Sequence, residues 1–376
     1  METTPETQWL SRIKEMNFKA RKMAASQLMK RSELDALLIT HLPDVRYLCG
    51  FTGSNAALVL IGSRSVLFTD GRYTQQAKDE ASGTRVVIEK KPALTAACEW
   101  LATSGITACG FDASVTTVSA LEGMRKAVPA KLRRGLFVAL EAPIANLRQV
   151  KDAEEIQKMR LAAKLGCELF DGMLEYLRPG LTEIEVASAL EYRARQSGAE
   201  GMSFETIVAS GPRSAMPHGR ASTAKLPRRG FVTLDFGVVL DGYMSDMTRT
   251  VHLGKAQPEE RDVYDAVLEA QEAAVAAVAP GVSAGEIDEA ARSVLRRAGL
   301  DQWFTHSTGH GVGLEIHELP RLAAKQTQKL EAGMVITIEP GVYMPGKFGL
   351  RIEDMVLVTS GGYEILTPSV KAWIEL

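Results

Sequence analysis

The feature that most constrains this chain is that part of it occurs twice. The stretch PGLTEIEVASALEYRARQSG, beginning at Pro179, is matched by PGVSAGEIDEAARSVLRRAG, beginning at Pro280. Each copy has Pro-Gly, an apolar residue, a hydroxyl residue (Thr182 or Ser283) and a glutamate three positions on (Glu185 or Glu286). That spacing is a capping box, in which hydroxyl and carboxylate each accept from the other residue's backbone N–H, so each copy opens a helix. Farther along, FVTLDFGVV (231–239) matches VITIEPGVY (335–343), which sets Asp235 against Glu339 and Gly237 against Gly341. SDM around Asp246 pairs in the same way with IED around Glu353. A duplicated unit of this kind predicts two similar halves around a shared centre, where four carboxylates converge.

The acidic positions lie in apolar strand-like runs. Between Asp235 and Asp246 stands Asp241-Gly242, a strong two-residue hairpin signal. Counting back from that turn, Leu240 opposes Tyr243, Gly237 opposes Asp246 and Asp235 opposes Thr248, so both aspartates share one face of the sheet as diagonal neighbours. Glu339 follows the apolar MVITI, and Glu353 lies between GLRI and MVLV, with a loop between them too long to fix a register. A carboxylate in such a strand is costly to bury unless it is paired, protonated or bound to a cation. A single acid in a strand usually faces solvent, but a repeat that keeps acids at matching apolar positions favours metal ligation.

STGHGVGLEIHELP (307–320) adds His310 and His317. Their spacing of seven excludes the helical His-Glu-x-x-His zinc site, which needs histidines four apart. Carboxylates alone would suit calcium or magnesium, whereas an added imidazole shifts the preference to manganese, cobalt, iron or zinc. His310, in a glycine-rich loop that allows close backbone approach, is the candidate nitrogen ligand, with His317 behind it.

The first third reads differently. LDALLIT, AALVLIG, SVLFTD and RVVIEK are strand-like runs, followed by the helical ALTAACEWLATSG, which together predict an α/β domain after a leading helix. Pro143 and the polar residues after it break the pattern, and Asp152 with Glu155 opens a new helix. The expected boundary lies near 148, giving domains 1–148 and 149–376. The chain is 376 residues long, and its formal charge of −2 with both signs interspersed leaves no electrostatic footprint for nucleic acid or an anionic membrane. Cys49, Cys98, Cys109 and Cys167 show no paired spacing, and the polar N-terminus lacks the apolar run of a secretory signal. A cytoplasmic protein with no membrane segment is expected.

HSTGHGVGLEIHE (306–318) resembles the signature of the proline-specific metallopeptidases, the Xaa-Pro aminopeptidases and Xaa-Pro dipeptidases, whose pita-bread fold is shared with methionine aminopeptidases and creatinase. LDFGVVLDGYMSDMTRT, MPHG, TIEPGVY and GLRIEDMVLV resemble the group's other blocks in the same order. DVRYLCGFTGSNAALVLI and LFTDGRY are similar to the creatinase-type N-terminal domain. The resemblance implies a creatinase-like α/β domain followed by a pseudo-two-fold pita-bread catalytic domain. It implies two divalent ions held by Asp235, Asp246, His310, Glu339 and Glu353, with Asp246 and Glu353 bridging. Mn²⁺ is the family-weighted ion, and Co²⁺, Zn²⁺ or Fe²⁺ can satisfy the same ligands.

Such a pair of ions can lower the pKa of a bridging water enough to supply hydroxide near neutral pH. By the resemblance, Glu339 acts as general base, and His218 and His317 line the substrate site and take part in catalysis. Arg351, two residues before Glu353, could orient a ligand carboxylate, hold substrate or form a structural salt bridge. Tyr343 could line the pocket or pack, and His306 could be a packing histidine. His41 and His252 are read as structural, and Asp70, Gly71 and Arg72 as a turn. The expected reaction is release of the N-terminal residue from small peptides with proline in second position, an Xaa-Pro aminopeptidase. The alternative is a strict Xaa-Pro dipeptidase, and a non-catalytic peptide-binding protein of the same fold stands behind both. A homodimer is the expected assembly.

Overall fold

The computed structural model describes residues 17–376, so the reading of the N-terminus as non-secretory lies outside the described residues. The chain divides into two compact units, one ending at Arg148 and the other spanning Gln149–Leu376. No helix among the described residues is long and apolar enough to cross a membrane.

The first unit is built on a six-stranded sheet of β1 (Ala36–Ile39), β2 (Ala57–Ile61), β3 (Arg64–Asp70), β4 (Arg85–Glu89), β5 (Cys109–Asp112) and β6 (Phe137–Leu140), in the order β4-β3-β2-β1-β5-β6. β1, β2 and β3 pair antiparallel, whereas β4, β5 and β6 add on in parallel. Each of the four strand-like runs read from the sequence falls on one of these strands, and ALTAACEWLATSG forms the helix Ala93–Thr103. The runs are continuous rather than alternating because the central strands are covered on both faces. Leu38, Val59 and Phe68 pack with Ala97 and Leu101 of that helix. All four cysteines of the chain are free and buried.

The second unit holds the duplication. The capping boxes form as read: the Glu185 N–H donates to Thr182 Oγ1 and the Thr182 N–H to Glu185, and Ser283 and Glu286 repeat the exchange. They open helices Glu183–Gln196 and Ala284–Arg297, which follow the longer helices Ala153–Leu174 and Pro258–Ala276 respectively. Two cores form, the second of which also takes in Phe231 from the first half. Phe170, Leu190, Leu234 and Val251 belong to the first, and Val267, Leu295, Ile336 and Val356 to the second.

Strands β7 (Gly201–Met202) and β8 (Ile207–Ser210) flank the first acidic hairpin. That hairpin runs through β9 (Gly230–Phe236), β10 (Val238–Leu240), β11 (Tyr243–Met244) and β12 (Met247–Leu253). Asp241 and Gly242 both have positive φ, 49° and 74°, as the tight turn demands. Leu240 pairs with Tyr243 and Val239 with Met244, and beyond a break Phe236 pairs with Met247 and Asp235 with Thr248, so the register counted from sequence holds along the hairpin. The break falls at Gly237, where a Cβ would lie 1.7 Å from the Ser245 carbonyl oxygen.

The second half repeats the device with β13 (Gly309–Gly311), β14 (Glu318–Leu322), β15 (Val335–Ile338), β16 (Gly341–Met344), β17 (Phe348–Arg351), β18 (Asp354–Thr359) and β19 (Gly362–Ile365). Ile338 pairs with Asp354, Gly341 with Arg351 and Met344 with Phe348. One register therefore runs from β15 through β18, and it places Glu339 across from Glu353. The connection thought too long to set a register is a tight turn at 345–347. The same count corrects one correspondence in the repeat. With Asp235 equivalent to Glu339, the residue equivalent to Glu353 is Thr248, and the residue equivalent to Asp246 is Arg351.

Candidate metal centre

The carboxylates sit where the paired strands part. Asp235 is the last residue but one of β9, opposite Thr248, Asp246 precedes β12, Glu339 follows β15 and Glu353 precedes β18. His310 comes from β13, a short strand where the sequence reading had a loop. Cβ atoms at its neighbours Gly309 and Gly311 would lie 1.9 Å from the Thr337 oxygen and 2.2 Å from the Leu319 oxygen. Only glycine on both sides lets this strand lie so close to 337 and 319 and carry the imidazole inward.

His310 Nε2 stands 3.6 Å from Asp246 Oδ2 and 3.5 Å from Glu339 Oε1. Ligand atoms of Asp246, His310 and Glu353 all lie within 4.8 Å of one another. Asp235 joins through Arg351, whose Nη2 donates to its Oδ2, while Asp235 Oδ1 is buried with no hydrogen-bond partner among the described residues. Burial and mutual repulsion hold the Asp246, Glu339 and Glu353 carboxyls well above the ordinary carboxylate range. Burial pushes His310 down to about 4, so its imidazole is neutral at pH 7, the form that binds metal. His310 Nδ1 lies 3.0 Å from the Gly311 carbonyl, which leaves Nε2 facing the carboxylates.

This donor set fits divalent cations. Four carboxylates drawn together with a neutral imidazole are mutually destabilising as anions, and one carboxylate oxygen is desolvated with nothing to accept from. Positive charge at the centre relieves both conditions.

The surrounding residues are held by a shared network. Glu353 is locked through each of its polar groups by two consecutive residues of β12. Thr248 Oγ1 donates to Glu353 Oε2 at 2.7 Å, the Glu353 N–H donates to the Thr248 oxygen at 3.1 Å, and Arg249 Nη1 donates to the Glu353 oxygen. Arg249 is itself buried on Asp354, which also accepts from Gln271 and Lys371. Arg351 Nε donates to Thr248 Oγ1 at 3.1 Å, and its Nη1 donates to Tyr343 Oη and to the Pro217 oxygen. Arg351 is buried and each of its guanidinium nitrogens has a partner within the protein, with Nη2 on Asp235.

His310 and His317 meet edge to face, with ring centroids 4.4 Å apart. His218, exposed on the segment between β8 and β9, is near enough to His306 and His317 for its charge to depress both. His306 Nε2 lies 2.9 Å from Tyr343 Oη, and burial pushes its pKa down to about 3. His252 stacks on Trp373, and His41 stands at the N-cap position of the helix Leu42–Cys49 with its Nδ1 3.2 Å from Asp44 Oδ2. In the first unit Asp70 and Arg72 form an ion pair at the turn after β3. Sequence reasoning missed Thr248 and Arg249, whose importance lies in partners about a hundred positions away.

A buried carboxylate-imidazole cluster between two hairpins is a place for divalent cations, and comparison with known proteins gives it an enzyme class. The family models agree: metallopeptidase family M24 matches residues 157–360, and the creatinase/prolidase N-terminal domain matches 21–150. The chain is 35% identical to an Xaa-Pro dipeptidase of Pyrococcus horikoshii, over 96% of this chain and 99% of that one. The structure of an Xaa-Pro dipeptidase from Bacillus anthracis superposes with a TM-score of 0.92 at 37% identity, covering 96% of this chain and all (100%) of the other. An X-Pro aminopeptidase from Thermotoga maritima gives 0.85 at 34% identity, covering 93% and 100%. The chain belongs to metallopeptidase family M24, with a creatinase-type N-terminal domain ahead of a pita-bread domain. It is a metallopeptidase, and its family works with divalent metal ions.

Proposed function

We propose that this protein is an Xaa-Pro dipeptidase, with Asp235, Asp246, His310, Glu339 and Glu353 holding two divalent ions. The observation that carries the dipeptidase reading is the end-to-end match, at 35–37% identity, to proteins bearing that name. It moves the reading from the aminopeptidase expected from sequence to its alternative. The aminopeptidase remains the second reading, supported by the likeness to the Thermotoga maritima enzyme.

When bound, the ions supply Lewis acidity at neutral pH. Glu339, beside His310 on the open side of the cluster, accepts the proton of the attacking water. Burial depresses His317, so it meets the substrate as a neutral imidazole, donating one hydrogen bond to the developing oxyanion without carrying charge into the site. His218, near enough to His317 to act on its charge, holds the prolyl side of the peptide. Arg351 keeps Asp235 pointed inward, with its partnerless oxygen left for a cation. Proline fixes φ and lacks an N–H, so its peptide bond is recognised by contacts other than the hydrogen bonds ordinary proteases use. Mn²⁺ loading and a homodimer are the remaining parts of this proposal, both drawn from the family resemblance. Cytoplasmic residence is consistent with four free, buried cysteines.

The test is hydrolysis of an Xaa-Pro dipeptide and an Xaa-Pro-Xaa tripeptide by chelator-stripped protein reloaded with Mn²⁺. Cleavage of the dipeptide alone supports the proposal, and cleavage of the tripeptide makes the chain an aminopeptidase. Cleavage of neither, with metal confirmed bound, would overturn both readings.

A further inference from the structure

Glu183 is a fully buried carboxylate in the first turn of helix Glu183–Gln196, and the reaction gives it no task. Acids in a first turn ordinarily complement the helix dipole from the surface. This one points inward and gathers partners from both ends of one segment. Its Oε1 accepts from the Ser210 N–H at 2.9 Å and from Ser210 Oγ at 3.0 Å. Its Oε2 accepts from the Ser222 N–H at 3.1 Å and from Ser222 Oγ at 2.7 Å. Arg213 Nε lies against both oxygens, at 3.2 and 3.0 Å, and Arg213 Nη2 donates onward to the Arg220 carbonyl at 2.9 Å.

Ser210 and Ser222 bracket the segment 211–221, which carries His218 at an exposed position. A single carboxylate therefore pins the two ends of this loop together, and through Arg213 it adds a third tie inside it. Serine N–H and hydroxyl bind the same oxygen at each end, so neither end can rotate without losing a charge-assisted bond. Within the loop, residues 211–215 form a short 3-10 helix whose Ser214 hydroxyl donates to the Gly211 oxygen and accepts from the Gly349 N–H, and nearer His218 Arg351 donates to the Pro217 oxygen and Arg220 pairs with Glu205.

We propose that Glu183 is a positioning residue for His218: it closes the base of the 211–221 loop so that the imidazole stands at a fixed place beside His306 and His317. The inference rests on the role given to His218 above. Misplacing a substrate-contacting group by about 1 Å costs on the order of a hundredfold in rate, so a loosened clamp is expected to approach the loss caused by deleting the imidazole.

The experiment compares wild type, Glu183→Gln, His218→Ala and the double variant, all loaded with Mn²⁺, by steady-state kinetics on the Xaa-Pro dipeptide and by amide hydrogen exchange. Ser222→Ala, which removes one hydroxyl from the clamp, serves as the milder variant if Glu183→Gln does not fold. The expected result is a tenfold to hundredfold loss of kcat/KM in Glu183→Gln with bound metal unchanged. Exchange should accelerate in 211–222, and Glu183→Gln should cost little more in the His218→Ala background. An equal loss in both backgrounds, or unaltered exchange in the loop, overturns the proposal. If His218→Ala by itself leaves activity intact, the role of His218 has failed and with it the positioning claim, while the exchange data still report whether the clamp exists.

Discussion

Replacing Thr248 by valine separates metal binding from folding more cleanly than removing a ligand. The side chain is fully buried, and valine keeps its shape while deleting the hydroxyl that donates to Glu353 Oε2 and accepts from Arg351 Nε. A hydrogen bond to a charged partner contributes about 1.5–3 kcal/mol. The stabilisation is worth most when Glu353 is ionised, as it must be to hold a cation, and less when it is protonated. In the ion-free protein, burial and the neighbouring Asp235 push Glu353 up to about 8, so at pH 7 much of it is neutral. The substitution therefore acts mainly on the loaded state. At about 1.4 kcal/mol per factor of ten, the expected weakening of Mn²⁺ binding is roughly tenfold to a hundredfold, the range seen for residues that orient metal ligands. Competition against a fluorescent chelator measures it, with thermal unfolding of the ion-free protein as control, and Thr248→Ser should restore the affinity. Binding within about threefold of wild type in Thr248→Val would refute the argument that this hydroxyl orients Glu353.

Gly237→Ala should cost about 3 kcal/mol or more and reduce metal loading, because its Cβ would lie 1.7 Å from the Ser245 oxygen and force apart the strands carrying Asp235 and Asp246; urea unfolding and metal analysis check both effects. Arg249→Met breaks a buried ion pair with Asp354, which keeps Lys371 and Gln271, and also strips the buried Glu353, Thr367 and Ser369 oxygens of their donor, so a loss of about 3–5 kcal/mol in unfolding free energy is expected. His317→Ala should keep its metal and lower kcat, which metal stoichiometry and kinetics read separately. The ion-free protein should lose stability as pH rises. Glu353 has a raised folded-state pKa, so its favourable contribution is complete below about 4.3, its unfolded value, and is lost as pH climbs through about 8. Bound cations remove that penalty, and the Tm gap between loaded and stripped protein should widen from pH 5 to 8. A gap that stays constant would contradict the carboxylate assignment.

Much of this architecture was legible because its determinants are local. Asp241-Gly242 fixes a turn, the turn fixes a register, and the register sets Asp235 across from Thr248 without any tertiary information. The capping boxes at Thr182 and Ser283 announce their helices in the same way. The second hairpin carried a comparable signal in Pro345-Gly346-Lys347, yet the longer separation of Glu339 and Glu353 hid it. Aligning Asp246 with Glu353 by residue class also obscured what the strands show, that the duplication places Arg351 where the first half has Asp246. What could not be read were contacts across about a hundred residues: Thr248 and Arg249 on Glu353, and Arg351 on Asp235. Glu183 was invisible for a different reason, since an acid in the first turn of a helix has an ordinary explanation on the surface, and only its burial rules that out.

The most direct test of the account is a titration of chelator-stripped protein with Mn²⁺ while hydrolysis of an Xaa-Pro dipeptide is followed. The account predicts no turnover in the stripped protein and a rate that reaches its plateau as two equivalents bind. Full hydrolysis by protein shown to be free of metal, or no hydrolysis with both equivalents bound, would contradict it.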